Sequence, residues 1–440
     1  MGRAARRVVS RGTHGDWRPS PRRADPVDLL VAQGDRRVQD LLPIRHTRMA
    51  ASPFAFFRGS AAVMTDDLGR TPVSGLVVQA CGDAHVANFG VFASPERNTV
   101  FDINDFDETL PAPWEWDVKR LVASIDLVAR SNDFASSDRE KAVRSAARSY
   151  RVHMAEYADR PVLATWYDHI GSGDVVAAFP KSRQAAVRMA LAKSERKTSA
   201  QAVGRLTEVV NGALRFRTEP PLLVRLDDLV EPVEEAEAVL ASYRMSLGTD
   251  RRSLFDRFEL VDVARKVVGV GSVGTRSFIA LFAGPSGAID DHLVLQVKEA
   301  GESVLATRWP TASTMHQGER VVTGQRLMQA SSDVLLGWTD SSITGRHFYV
   351  RQLWDTKGSA DLATMRVEGL SRYGGLCAWA LARAHARTGD AVAISSYLGG
   401  SDRFDRAITQ FAALYGNQTV ADHARFCAAI NDGVISALAG

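Results

Sequence analysis

The sequence predicts an α+β protein in two unequal parts, and three observations predict it. Helical apolar periodicity dominates up to about residue 217. Between 218 and 356 short strand-like runs alternate with glycine and proline, and helical periodicity returns over 357–440. The expected architecture is a large helical lobe with a small antiparallel-sheet lobe. A chain of 440 residues, 45% apolar and 24% charged, has an ordinary globular composition and the length for more than one packed unit.

Cysteine usage and charge narrow the class. Cys81, Cys377 and Cys427 are odd in number and widely spaced, so neither a disulfide framework nor metal-ligand spacing is expected. No secretory signal or apolar stretch of spanning length is evident, so the expected setting is cytoplasmic with no membrane partner. The net charge is +3, and Arg3, Arg6, Arg7, Arg11, Arg18, Arg22 and Arg23 crowd the first residues. Without apolar periodicity, residues 1–40 read as a disordered basic tail. No matching basic patch with interleaved aromatics follows, so nucleic acid is not an expected partner.

Residues 28–68 are expected to be mostly helical, with Phe54, Phe56, Phe57 and Met64 on one face and Gly69 closing the run. Val73 to Ala80 reads as a buried strand that runs into the loop Cys81–Asn88. Asn98 to Ile103 is a second strand, and Trp114 to Arg130 a helix. Ser137-Asp138-Arg139-Glu140 resembles a capping box that opens a helix through about Ala158, and helical periodicity runs on to about Gly212. The character changes at Glu219-Pro220-Pro221. A charged helix (Val230 to Met245) is followed by strands Asp262 to Val268, Ser277 to Phe282 and Leu293 to Lys298. Then come a helix from His316 to Ala330, strands Val334 to Trp338 and His347 to Leu353, and helices Leu362 to Arg387 and Phe404 to Leu438. The expected lobes are 41–217 with 357–440, and 218–356.

Four groups of residues point to chemistry. The loop Cys81-Gly82-Asp83-Ala84-His85-Val86-Ala87-Asn88 places polar side chains directly after an apolar strand, where burial is costly. Phosphoryl transfer needs a carboxylate to orient a hydroxyl and an amide to help hold Mg²⁺, and Asp83 and Asn88 suit those roles. The alternative is that both cap a turn, with His85 bracing the loop. Asp102, Asp105, Asp107 and Glu108 put four carboxylates in seven residues and need a compensating cation. Asp105, after the apolar strand, is the expected metal ligand, and Asp102 is its competitor; the alternative is a solvated acidic turn. Gly269-Val270-Gly271-Ser272-Val273-Gly274 has strand-like residues on both sides. That favours a glycine hairpin over nucleotide phosphates rather than a dinucleotide fingerprint, which needs a following helix. Lys298, at the end of an apolar strand, suits the phosphates of ATP. Glu319, or less well Glu302, would orient it from the next helix. Arg45, Arg48 and Arg58 are expected to pair with the carboxylates of 102–108, with binding of an anionic acceptor as the other possibility.

The joint expectation is an ATP- and Mg²⁺-dependent phosphotransferase that moves the γ-phosphoryl group to a hydroxyl acceptor, a small molecule rather than a protein. A nucleotide-binding pseudokinase or an AMP-transferring enzyme on the same scaffold are the alternatives.

The motif Cys81–Asn88 is similar to the catalytic loop of the aminoglycoside and choline phosphotransferase branch of the protein-kinase-like superfamily, which usually reads His-Gly-Asp-x-His-x-x-Asn. Val100 to Asp107 resembles that branch's metal-binding strand end, and Trp116-Asp117 to Leu121 the helix after it. The chain also looks like an uncharacterised bacterial DUF family grouped with those kinases. Arg45-His46-Thr47-Arg48-Met49, Ser52–Gly59 and Gly324-Gln325-Arg326-Leu327-Met328-Gln329 carry that likeness. The resemblance implies a two-lobed kinase-like fold with ATP between the lobes and the His347–Leu353 strand beside the adenine. Two departures stand out. Cys81 replaces the first His, and the glycine hairpin and Lys298 follow the catalytic loop instead of preceding it. A circular permutation reconciles that order.

Overall fold

Alternation of apolar side chains builds the smaller lobe. In the computed structural model, which describes all residues except 197–198, 229–232, 268, 270, 272, 311–314, 354–357 and 439–440, with backbone alone at 233–237, the β-rich stretch forms one six-stranded sheet. Its order is Gly337–Asp340, His347–Gln352, His292–Glu299, Ser277–Ala283, Glu259–Lys266 and Leu223–Arg225, each pair antiparallel. Successive residues of a strand face opposite sides. Phe278, Ala280 and Phe282 pack with Tyr243 and Phe255 of two covering helices, Val233–Ser246 and Thr249–Phe255, and with Leu247 between them. Ile279, Leu281 and Val294 pack with Val203, Leu206 and Phe216 on the other side.

That second layer corrects the expected boundary at 217. Helix Ser199–Leu206 and hairpin Thr207–Val210/Ala213–Phe216 belong with the sheet. The hairpin turns at Asn211 and Gly212, both at positive φ (50° and 82°), the two-residue turn that Asn-Gly favours.

Helix Trp114–Ser131 is the axis of the larger lobe, and every residue from Trp114 to Ala129 is buried. Ser136–Ala158, Val367–Thr388 and Arg403–Asn431 surround it. The Ser136 helix begins without a side-chain cap, so Ser137 lies inside its first turn instead of opening a capping box. Among the described residues no helix is long and apolar enough to cross a membrane.

Residues 1–40 are not a disordered tail. Gly2–Val8 is a helix, Trp17 is buried in the main core, and Pro26–Gly34 is a helix capped by Asp25. Three of the arginines that suggested disorder are structural. Arg6 donates to Tyr397 O at 2.9 Å and Arg11 to Leu398 O at 2.6 Å, at the C-terminal end of helix Ala391–Leu398. Arg23 bridges Asp67 (2.7 Å) and Asp422 (2.6 Å). Except for Asp67, 44 positions on, these partners lie hundreds of positions away, beyond the reach of local composition.

Candidate functional site

Strand Val77–Ala80 pairs with Leu110–Pro113 and delivers the loop that starts at Cys81. Gly82 has φ 83°, and a Cβ there would lie 2.3 Å from the Glu108 carbonyl oxygen, so only glycine fits. The central helix holds the loop from beneath. Asp117 accepts the N–H groups of Cys81 (2.6 Å) and Gly82 (2.9 Å), and Ser124 accepts that of Val86 (2.8 Å). Behind Asp117 stand His385, with Nε2 at 3.1 Å, and Tyr150, whose hydroxyl meets His385 Nδ1 at 2.8 Å.

Above this base the loop turns on itself. His85 N–H donates to Asp83 O at 2.8 Å and Asn88 N–H to His85 O at 2.7 Å. The Asn88 amide nitrogen donates to Asp83 O (3.1 Å) and Asp105 O (3.0 Å), while its Oδ1 has no bond among the described residues. Asp83 Oδ1 meets Arg120 Nε at 2.8 Å and a terminal nitrogen at 2.7 Å. Arg120 is itself fixed by the Phe57 carbonyl oxygen at 2.7 Å and lies over the Phe57 ring at 3.8 Å. The Asp83 side chain keeps 22% exposure. His85 is buried beside it, Nε2 3.7 Å from Asp83 Oδ2. Burial lowers its pKa to about 4; Asp83 opposes that shift, and Arg58 and Arg120 add to it. His85 is therefore a neutral neighbour of Asp83.

The acidic strand end divides by environment. Asp102, 1% exposed, is ion-paired to Arg383 at 2.6 Å and accepts the Ala330 N–H at 3.1 Å. This corrects the expectation of Asp102 as a competing metal ligand, because its carboxylate is already committed to the core. Asp105 keeps 36% exposure. Asp107 binds the Lys298 ammonium and accepts the Tyr349 hydroxyl at 2.7 Å. Lys298 Nζ lies 3.6 Å from Asp105 Oδ2. Burial works against the lysine's charge, but Asp105 and Asp107 together outweigh it, so its pKa is raised. Burial, with Asp105 beside it, pushes the Asp107 carboxyl up. Glu108 is raised to about 7, chiefly by burial, although it accepts the Val304 N–H at 2.7 Å.

Glu319 does not hold Lys298 among the described residues; Asp105 and Asp107 stand there instead. Glu319 lies in the first turn of helix Gln317–Met328, its N–H capped by His316 Nδ1 at 3.2 Å. The residue of this turn that reaches the site is Arg320, which donates to Asp107 O (2.7 Å) and Gly301 O (2.9 Å). Gln329, just past the helix, donates to Ile103 O at 2.7 Å.

The glycine segment joins two antiparallel strands, Glu259–Lys266 and Ser277–Ala283. Val268, Val270 and Ser272 lie outside the described residues. Gly269 and Gly274 have φ 42° and 87°. The turn rests on the large lobe: Arg48 donates to Gly269 O at 3.3 Å, Arg45 to Gly271 O at 2.9 Å and Arg37 to Val273 O at 2.6 Å. This corrects the pairing expected for Arg45 and Arg48, whose carbonyl acceptors lie in the glycine turn rather than among the carboxylates of 102–108.

Sequence reasoning missed Asp117, Arg120, Arg320, Arg383 and His385. For the first two a signal existed. Asp117, Arg120 and Ser124 sit at helical spacing on one face of an otherwise apolar buried helix, where polar groups must have partners.

The model of a family described as an uncharacterized protein conserved in bacteria, DUF2252, matches residues 37–429. No curated protein and no solved structure matches the chain.

Proposed function

The chain belongs to the bacterial DUF2252 family over most of its length, and we propose that it is a phosphotransferase that moves the γ-phosphoryl group of ATP to a hydroxyl acceptor. One observation carries this reading. Lys298 and Asp107, 191 positions apart, are in contact, with Asp105 3.6 Å from the same ammonium and the Asn88 amide bonded to the Asp105 carbonyl. Lysine, carboxylate and amide are the set that phosphoryl transfer requires in one place.

In this reading Lys298 exchanges its contact with Asp107 for the nucleotide phosphates, and Gly269, Gly271 and Gly274 lie over them. Among the described residues no three His, Cys, Asp or Glu side chains form a metal cage. Mg²⁺ at a phosphate site needs only one or two protein oxygens, and Asn88 Oδ1 with the half-exposed Asp105 would supply them. The ion would neutralise phosphate charge. Asp83, fixed by Arg120, orients the acceptor hydroxyl. The acceptor oxygen bonds to the γ-phosphorus, the bond to the ADP oxygen breaks, and the hydroxyl proton passes to Asp83 and then to water. Positioning and charge compensation do most of the work.

The same reading makes the fold kinase-like with permuted order, ATP lying between sheet and helical lobe. Early and late segments adjoin, Arg23 with Asp422 at 2.6 Å and Leu438 N–H with Thr47 Oγ1 at 2.9 Å, which supports a rearranged order. Incubation with ATP and Mg²⁺ should raise the melting temperature, and label from γ-labelled ATP should reach an acceptor. Transfer from α-labelled ATP instead would mean AMP transfer; binding without transfer would mean a pseudokinase. The absence of any thermal shift would overturn the nucleotide reading.

A further inference from the structure

We propose that the acceptor is a small hydroxylated anion, a phosphate ester or hydroxy-carboxylate, and that Arg58 with His85 receives its charged end. This rests on the phosphotransferase reading and names the substrate class of the same site.

On the Lys298 side Asp105 and Asp107 face one ammonium, with Arg351 and Arg320 within electrostatic reach of them. Around Asp83 stand two more guanidinium groups. Arg120 already occupies Asp83 Oδ1 and is anchored by the Phe57 carbonyl. Arg58 lies at the end of helix Pro53–Gly59, whose Phe54 ring lies 6.5 Å from the His85 ring and whose Phe57 carbonyl anchors Arg120, and it acts on the same carboxylate. It has no hydrogen bond or ion pair among the described residues, and its Nε is buried without a partner. A guanidinium in that state lacks the acceptor that ordinarily offsets its desolvation. His85 adds a second donor or acceptor: it is 7% exposed, and its Nδ1 is also buried and unpartnered.

Asp83 pairs with Arg120, which leaves the Arg58 guanidinium without a bonded partner among the described residues, beside the proposed hydroxyl-orienting residue. An acceptor whose anionic group lies a few bonds from its hydroxyl would neutralise that charge while presenting the oxygen to Asp83. Arginine suits planar carboxylate or phosphate oxygens through its forked donors. A cationic acceptor, choline or an aminoglycoside, would meet like charge at the same place. The site therefore selects against the substrates whose names attach to the kinase branch that its loop resembles.

Isothermal titration of the full chain, without nucleotide, tests this directly. Glycerol 3-phosphate represents phosphate esters, glycerate the hydroxy-carboxylates, and choline the cations. At least one anion should bind saturably and choline should not. Arg58→Ala should raise the anion's Kd about tenfold or more, with Arg58→Lys between the two. Near-UV circular dichroism of both variants should match the parent, because Arg58 has no described side-chain bond to lose. The inference is overturned if neither anion binds, if choline binds as well as either, or if Arg58→Ala leaves anion affinity unchanged. The ATP-induced thermal shift, measured separately on the same proteins, judges the nucleotide reading and should survive Arg58→Ala.

Discussion

Two pairs of aspartates near one loop behave oppositely. Asp102 and Asp117 are each 1% exposed and fully engaged, by Arg383 and by His385 with two backbone N–H groups. Asp83 and Asp105 keep 22% and 36% exposure. All four lie within 35 residues of one another, from Asp83 to Asp117. The difference teaches that the burial of each carboxylate depends on which cation reaches it from a distant part of the chain, which residue type alone does not reveal.

Substitutions should separate the two pairs. The largest expected effect is on the scaffold. Asp102→Ala leaves Arg383 buried without its partner and should cost about 3–5 kcal/mol in chemical denaturation. Adding Arg383→Met should recover part of that loss; a single variant as stable as the parent would erase the distinction. Next come the exposed pair. Asp83→Asn and Asp105→Asn should reduce the proposed phosphoryl transfer about 10²–10⁴-fold. Because the amide oxygen at position 83 still accepts from Arg120 and Asp105 is half-exposed, they should cost clearly less stability than Asp102→Ala. Equal losses of stability in both pairs would make all four structural. The smallest effect concerns Glu108, whose folded pKa of about 7 stands above its ordinary 4.5. Between those values the folded protein holds a proton that the unfolded chain has released. Stability should therefore fall as pH rises through this window. Relative to Glu108→Gln, the parent should lose on the order of 1–3 kcal/mol between pH 5 and 8; parallel curves would place Glu108 in a more solvated setting.

Much of the fold was legible because local patterns carried it. The apolar alternation of 277–283 and 292–299 and the β-pattern after Gly274 led to the sheet and its glycine turn. What was not legible depended on long-range pairing. The basic residues of 1–40 gave no sign that Arg23 would meet Asp67 and Asp422. Glu319 was expected beside Lys298 from its position on the helix, yet its neighbour Arg320 turns inward to the carbonyl oxygens of 107 and 301. One residue of rotation on a helix is about 100°, which is finer than an unaligned pattern resolves.

The support beneath the loop has a consequence for biosynthesis. The carboxylate of Asp117 that grips Cys81 and Gly82 meets His385, 268 positions later, and Arg383 lies 281 positions after Asp102. At ribosomal speeds of roughly 5–20 residues per second, those partners emerge roughly 15–60 s after the aspartates they serve. Through that interval the loop cannot settle, because burying these carboxylates before their partners arrive would leave them uncompensated. Truncated products ending before residue 383 should accordingly be substrates for chaperones and proteases rather than partly folded, stable fragments.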